Sequence, residues 1–297
     1  ATCAWAAGWI ASILAHEGVA IDPDVKDHVW TALQSLASAP LQERTLTGLS
    51  ILLQNQRIKQ ALAPYCLGGS WGEMLDADEE RLGQSDLQAF ETEGLMGSAA
   101  APAVLSYLFH RIECSLTGDP ALIIIDEGWL ALADTGFGAT LREWLKTLRK
   151  KNASVVFATQ SLSDIDGSNL APALIESCPT RVFLPNDRAL EPQIASIYER
   201  FGLNARQIEI VAHSSPKRDY YAQSRDGNRL FDLGLGPVTL AFCGASSKAD
   251  HQAISQIADA HGTQNFPDHW LRHLSLDWAA DLLPSMSNQK ESSNDDM

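Results

Sequence analysis

Cysteine is sparse and unpaired: Cys3, Cys66, Cys114, Cys178 and Cys243 lie far apart in a chain of 297 residues, and no Cys-x-x-Cys occurs. This excludes a zinc ribbon or a disulfide framework and fits a reducing compartment. No uninterrupted apolar run approaches the ~20 residues that cross a bilayer as a helix. The longest strongly apolar piece, Ala121 to Ile125, is strand-sized. Ala1 to Gly18 has no basic start and no cleavage pattern, so it does not read as a secretory signal. Positive charge is also scarce, with 22 Lys and Arg against 37 Asp and Glu and a formal net charge of −15. That disfavours a broad nucleic-acid-gripping face but leaves room for a local basic pore. The serine-hydrolase string Gly-x-Ser-x-Gly is missing. His269 and His273 stand four apart, yet neither a general-base Glu nor a third ligand accompanies them, so they read as ordinary helix side chains.

What remains is an ordinary globular composition with changing periodicity. Ala4 to Glu17 reads as a helix with Trp5, Trp9, Ile13 and Leu14 near one face. Asp22 is an N-cap with Pro23 at the first helical position of the next helix. Residues 24–63 read as further helices. Leu87 to Glu91 is a candidate short strand, and Pro102 to Leu116 a helix. Ala121 to Ile125 is a continuous apolar run, the pattern of a strand buried on both faces in a parallel sheet. A helix from about Thr140 to Lys151 leads to a second strand, Val155 to Ala158. A helix over Pro172 to Ser177 leads to a third, Arg181 to Leu184. Strand, helix, strand, helix, strand indicates an α/β fold with a mostly parallel sheet. Antiparallel strands follow toward the C-terminal end at Asp219–Ser224, Arg229–Leu233 and Pro237–Phe242, the first two joined at Asp226-Gly227. A helix to about His261 and an amphipathic stretch from Trp270 to Leu283 complete the fold. The polar residues 284–297 read as a disordered tail.

The chemistry concentrates at two strand ends. Leu122 to Ile125 delivers Asp126 and Glu127, the Walker B pattern, in which the first carboxylate serves a magnesium water shell and the second activates an attacking water. One crossover later, the second strand ends in Thr159-Gln160-Ser161. An amide there can orient the lytic water or sense a terminal phosphate. Either string alone is equally well a turn or a helix cap; their occurrence on adjacent strands raises their value. Arg181 and Arg218 are candidates for stabilising a transferring phosphoryl group. The phosphate-cradling string G-x-x-x-x-G-K-[ST] is absent. Gly136-Phe137-Gly138-Ala139-Thr140 and Gly68-Gly69 lack its lysine. The expectation is that this loop precedes residue 1, and that the chain is a fragment of a longer protein.

The ordered strings FETEGLMG (90–97), LIIIDEGWLAL (122–132), LRKKNASVVFATQSLSDI (148–165), ESCPTRVFLPN (176–186) and KRDYYAQSRDGNRLFDLGLGPVTLAF (217–242) resemble the C-terminal part of the TrbE/CagE-type ATPases of conjugation and type IV secretion. The resemblance covers most of residues 1–283. It implies a RecA-like P-loop NTPase core with an inserted helical subdomain. Residues 1–21 would follow the phosphate loop, 22–85 would be the insertion, and 86–283 the ATPase core with its C-terminal helices. It implies ATP and Mg2+ as cofactors, with Asp126 at the metal, Glu127 and Gln160 at the nucleotide and lytic water, and Arg181 and Arg218 in the later arginine motifs. It further implies a homo-oligomer, often a hexamer, cytoplasmic and peripheral to the bacterial inner membrane, working with inner-membrane secretion subunits on a DNA or protein load. Without the phosphate loop, this chain alone is expected to be inactive. Two other functions fit the same residues: a DNA translocase of the FtsK/HerA or coupling-protein kind, for which Arg149-Lys150-Lys151 is a basic cluster, and a truncated, non-catalytic assembly module.

Overall fold

The computed structural model describes residues 2–80, 82, 85–92, 94, 95, 97–128 and 135–283. The tail 284–297 lies outside them. The chain divides into two compact units, residues 1–180 with 189–208, and residues 181–188 with 209–297.

The first unit begins with helices. In α1 (Thr2–His16) the apolar residues Ile10, Ile13 and Leu14 are buried. Asp22 caps α2 (Pro23–Ala37), its Oδ1 accepting from the Val25 N–H at 2.8 Å. Pro23 at the first position gives up an N–H that no helical carbonyl would have used. Thr45 and Asn55 cap α3 (Leu46–Leu52) and α4 (Gln56–Leu62) in the same way. After the short α5 (Gly72–Leu75), α6 (Ala101–Ser115) returns to this layer, and the Trp9 indole N–H donates to the Ala103 carbonyl at 2.9 Å. Ile10, Leu14, Val29, Leu49, Ile58 and Leu62 lie in one continuous core beneath these helices. The expected strand at Leu87–Glu91 is not formed. The described residues there pair with no other strand, and Leu87 is 86% exposed.

Strand β1 (Ala121–Ile125) pairs in parallel with β2 (Ala153–Phe157), Ala121 opposite Ala153 and Ile125 opposite Phe157. Between them run α7 (Thr135–Thr147) and a 3-10 turn, Leu148–Lys151. Asn152 then reverses the chain in the left-handed conformation, with φ of 57°. The Lys151 ammonium reaches Glu113 Oε1 on α6 at 2.9 Å, and this contact holds the Glu113 carboxyl below its usual range. The burial expected for both faces of β1 is seen on one only. Leu122 and Ile124 are 63% and 65% exposed, and Val156 beside Ile124 is exposed as well, the alternation of a sheet shielded on one side. Three helices follow: α8 (Leu162–Asp166), α9 (Ala171–Ser177) and α10 (Pro192–Arg200).

The second unit is built on an antiparallel sheet, in the order β3 (Arg181–Phe183), β4 (Asp219–Ser224), β5 (Gly227–Asp232). The third apolar run therefore joins the hairpin, pairing antiparallel with β4. Helix α11 (Ala205–His213) lies between β3 and β4 in sequence. In place of the strand expected at Pro237–Phe242, the chain forms α12 (Pro237–Cys243). A six-residue apolar run fits either state. Here Gly236 takes an extended N-cap conformation and Pro237 the first helical position, which decides for helix. Helix α13 (Lys248–His273) breaks at Gly262, whose φ of 75° and ψ of 160° no helix contains, and α14 (Asp277–Ala280) closes the unit. The buried Trp270 indole donates to the Ala241 carbonyl at 2.8 Å, fixing α12 against α13. Among the described residues no helix is long and apolar enough to cross a membrane.

Two stability tests follow from this packing. Leu62 is fully buried, so Leu62→Ala lowers the unfolding free energy in urea by about 3 kcal/mol; a loss below about 1 kcal/mol would contradict the core described. The depressed folded pKa of Glu113 means that its pairing with Lys151 stabilises above the unfolded value of about 4.3 and is lost as pH falls through the folded one. Lys151→Met therefore flattens the fall of stability below about pH 4.3, measured by urea titrations across that range; an unchanged slope would show that the pair contributes nothing.

Candidate functional site

A regular parallel ladder dictates what should follow Ile125. The Ala158 N–H should donate to the Ile125 carbonyl, and the Ala158 carbonyl should accept from residue 127. The first bond is present at 2.9 Å. The second comes instead from the Gly128 N–H, also at 2.9 Å. One extra residue is thus held between two fixed bonds, and Asp126-Glu127 forms a one-residue bulge at the end of β1. Glu127 absorbs it with a left-handed φ of 49°. Its displaced N–H donates to Asp126 Oδ1 at 2.9 Å. On an unbulged strand consecutive side chains point to opposite faces; the bulge removes that restriction.

Opposite, β2 continues past Ala158 into Thr159, Gln160 and Ser161. Ser161 caps α8, its hydroxyl accepting from the Ser163 N–H at 3.2 Å. The Thr159 hydroxyl donates to the Ser161 carbonyl at 3.3 Å. Helix α8 is braced in turn by Arg200 of α10, whose Nε meets Asp166 Oδ1 at 2.7 Å while a second guanidinium nitrogen takes the other carboxylate oxygen. The guanidinium holds the Asp166 carboxyl below its usual range. Between the fixed Ala158 and the capping Ser161, Gln160 extends Nε2 to Glu127 Oε1 at 2.7 Å. Asp126, Glu127 and Gln160 are all solvent-exposed. The acid pair and the amide therefore meet at the carboxyl ends of two adjacent parallel strands, where open α/β sheets place their ligands.

The arginines belong to the second unit. Arg181 opens β3, and its Nη1 donates to Gln223 Oε1 at 3.3 Å. Arg218 immediately precedes β4 and pairs with Asp232 Oδ2 at 2.9 Å, its side chain 71% exposed. Arg181 lies opposite Gln223, five residues further along β4, so the two arginines stand about 17 Å apart at ~3.4 Å per residue. They occupy opposite ends of one sheet and share no site with each other. The elements that sequence reasoning passed over are the Ala158 peptide group, which has no side-chain signature, and Gly128, whose signal is a glycine directly after two acids.

Residues 51–225 match the model of the TraG P-loop domain family. The chain is 45% identical over 284 residues to the conjugal transfer protein TrbE of Rhizobium radiobacter, covering 95% of this chain and 34% of that protein. It is 44% identical over 281 residues to a probable conjugal transfer protein TrbE of Sinorhizobium fredii, covering 94% and 42%. It is 29% identical over 272 residues to the type IV secretion system protein virB4 of Bartonella quintana, covering 89% and 34%. The chain thus spans between a third and somewhat over two fifths of the length of these relatives. The solved structure of VirB4 of Thermoanaerobacter pseudethanolicus superposes with a TM-score of 0.55 at 16% identity, over 72% of this chain and 65% of that one, a likeness of fold.

The left-handed Glu127 is strained, as a non-glycine residue there costs about 1–2 kcal/mol. Glu127→Gly relieves the strain while deleting the carboxylate. It raises the unfolding free energy by about 0.5–1 kcal/mol, read by urea or thermal denaturation; a clear loss of stability would mean that residue 127 is not held in this conformation.

Proposed function

Because the chain belongs to the TraG P-loop domain family, we propose that it carries the hydrolytic end of an ATP-driven motor that energises conjugative transfer or type IV secretion. The observation that carries this reading is the hydrogen bond from Gln160 to Glu127 across two parallel strand tips. Glu127 is the base that takes the proton of the attacking water, and Gln160 orients that water by holding the same carboxylate. Asp126 and Glu127 present hard oxygen donors open to water, a donor set suited to Mg2+, which keeps several waters and accepts one or two carboxylates. In this reading Asp126 holds the ion through water. Bound Mg2+ would offset the charge of the ATP phosphates. Arg181 or Arg218, from this chain or a neighbouring copy, stabilises charge on the transferring phosphoryl group.

The same reading makes the motor a homo-oligomer, hexameric when working, on the cytoplasmic side of the bacterial inner membrane. Membrane subunits of the secretion machine anchor it, and DNA or protein is its load. The conjugal-transfer and type IV secretion names of its relatives support this.

The test uses the protein encoded by the complete reading frame. Glu127→Gln lowers kcat by about 10³-fold and leaves ATP affinity within a few-fold of wild type, read by phosphate release and nucleotide titration. Turnover retained within a few-fold would remove the base from Glu127. Hydrolysis indifferent to added duplex DNA keeps the secretion-motor reading, whereas strong stimulation transfers the assignment to a DNA translocase.

A further inference from the structure

Gly128 is buried, and its φ is not in the left-handed region, so backbone freedom does not explain a glycine there. Space does. A Cβ built on Gly128 would meet three ring atoms of Phe157, with Cδ2 at 2.9 Å and Cε2 and Cζ closer still. The ring is the last side chain of β2 and has only two torsions, so it moves as a rigid plate. Phe157 directly precedes Ala158, whose peptide group fixes both ends of the Asp126-Glu127 bulge. Gly128 donates one of those two bonds.

We propose that Gly128 and Phe157 form a paired positioning device for Glu127: the ring fills the space a side chain on residue 128 would need, which lets the Gly128 N–H close on Ala158 and seats the Glu127 carboxylate against Gln160. This rests on the reading of Glu127 as the hydrolytic base and assigns to that site the residues that aim it. A side chain at position 128 must displace either the ring or the Gly128–Ala158 bond. Displacing the bond frees the bulge, and Glu127 leaves the amide. A shift of about 1 Å at a reacting group costs about 10²-fold in rate. Nucleotide affinity, which does not depend on aiming this carboxylate, is spared.

The experiment uses the protein from the complete reading frame, with ATP as the probe. Gly128→Ala lowers kcat by about 10²-fold while KM for ATP stays within about two-fold, since only an interaction made in the transition state is lost. Phe157→Leu removes the far ring atoms while keeping an apolar side chain. The Gly128→Ala/Phe157→Leu double variant therefore recovers most of the lost kcat. Phe157→Trp, which crowds the same bulge without touching residue 128, reproduces the selective loss and serves if Gly128→Ala does not fold. Thermal unfolding gives a readout free of turnover: Gly128→Ala is destabilising in the wild-type background and close to neutral in the Phe157→Leu background. The proposal is overturned by a Gly128→Ala enzyme of wild-type kcat, by a double variant no better than the single in both rate and stability, or by losses of kcat and affinity in parallel. Failure of the underlying reading has its own signature, wild-type turnover in Glu127→Gln, and overturns the positioning role with it.

Discussion

A single peptide group governs the candidate site. The N–H and carbonyl of Ala158 bind residues 125 and 128 of the neighbouring strand, where a regular ladder would bind 125 and 127. Everything at the strand tip follows from that one-residue difference. The extra residue must bulge, and it is Glu127 that adopts the left-handed backbone. Its orphaned amide turns to Asp126, and its carboxylate comes within hydrogen-bonding distance of Gln160. Parallel bulges are rare, and a strained residue of this kind persists only where its surroundings over-determine it. Two backbone bonds, one side-chain bond to the amide and one to the preceding acid supply that determination.

Much of this was legible in the sequence, and the rest was not for identifiable reasons. The apolar run ending in Asp126-Glu127 and the second run ending before Gln160 marked two adjacent parallel strands, and their register brings the two ends together. Asp22-Pro23 and Asp226-Gly227 announced a cap and a turn through side-chain chemistry that acts locally. The bulge left no comparable trace, because a backbone hydrogen bond from Ala158 has no residue type of its own. Pro237 to Phe242 reads as a strand from its apolar character, although Pro237 after Gly236 is the better indicator. Helix α11 carries a further local signal: Asn204 and Gln207 each accept from the other's backbone N–H, a capping box set by their three-residue spacing. The partner of β3 was beyond reach, since antiparallel pairing with β4 depends on chain nearly forty residues away.

The two units divide the candidate chemistry. The acid pair and amide sit on a parallel two-stranded layer with one open apolar face, and the arginines sit at either end of an antiparallel sheet. The hydrogen bond between Gln160 and Glu127 is exposed, so its net contribution to folding is small, about 1 kcal/mol or less. Its value lies in geometry. Catalysis gains from holding a base in one orientation, and a solvent-open carboxylate on a flexible side chain has many. The amide, the bulge and the Phe157 ring restrict them together, while Arg200 on Asp166 steadies the helix that begins at Ser161.

The central claim is that Glu127 and Gln160 act as one unit. A double-mutant cycle in kcat tests it most directly, with Glu127→Asp to withdraw the carboxylate while keeping some turnover, and Gln160→Ala to remove the amide. If the two are coupled, the double variant is no slower than the slower single variant by more than a few-fold. Losses that simply multiply would show that the two residues act independently, and the shared site described here would not stand.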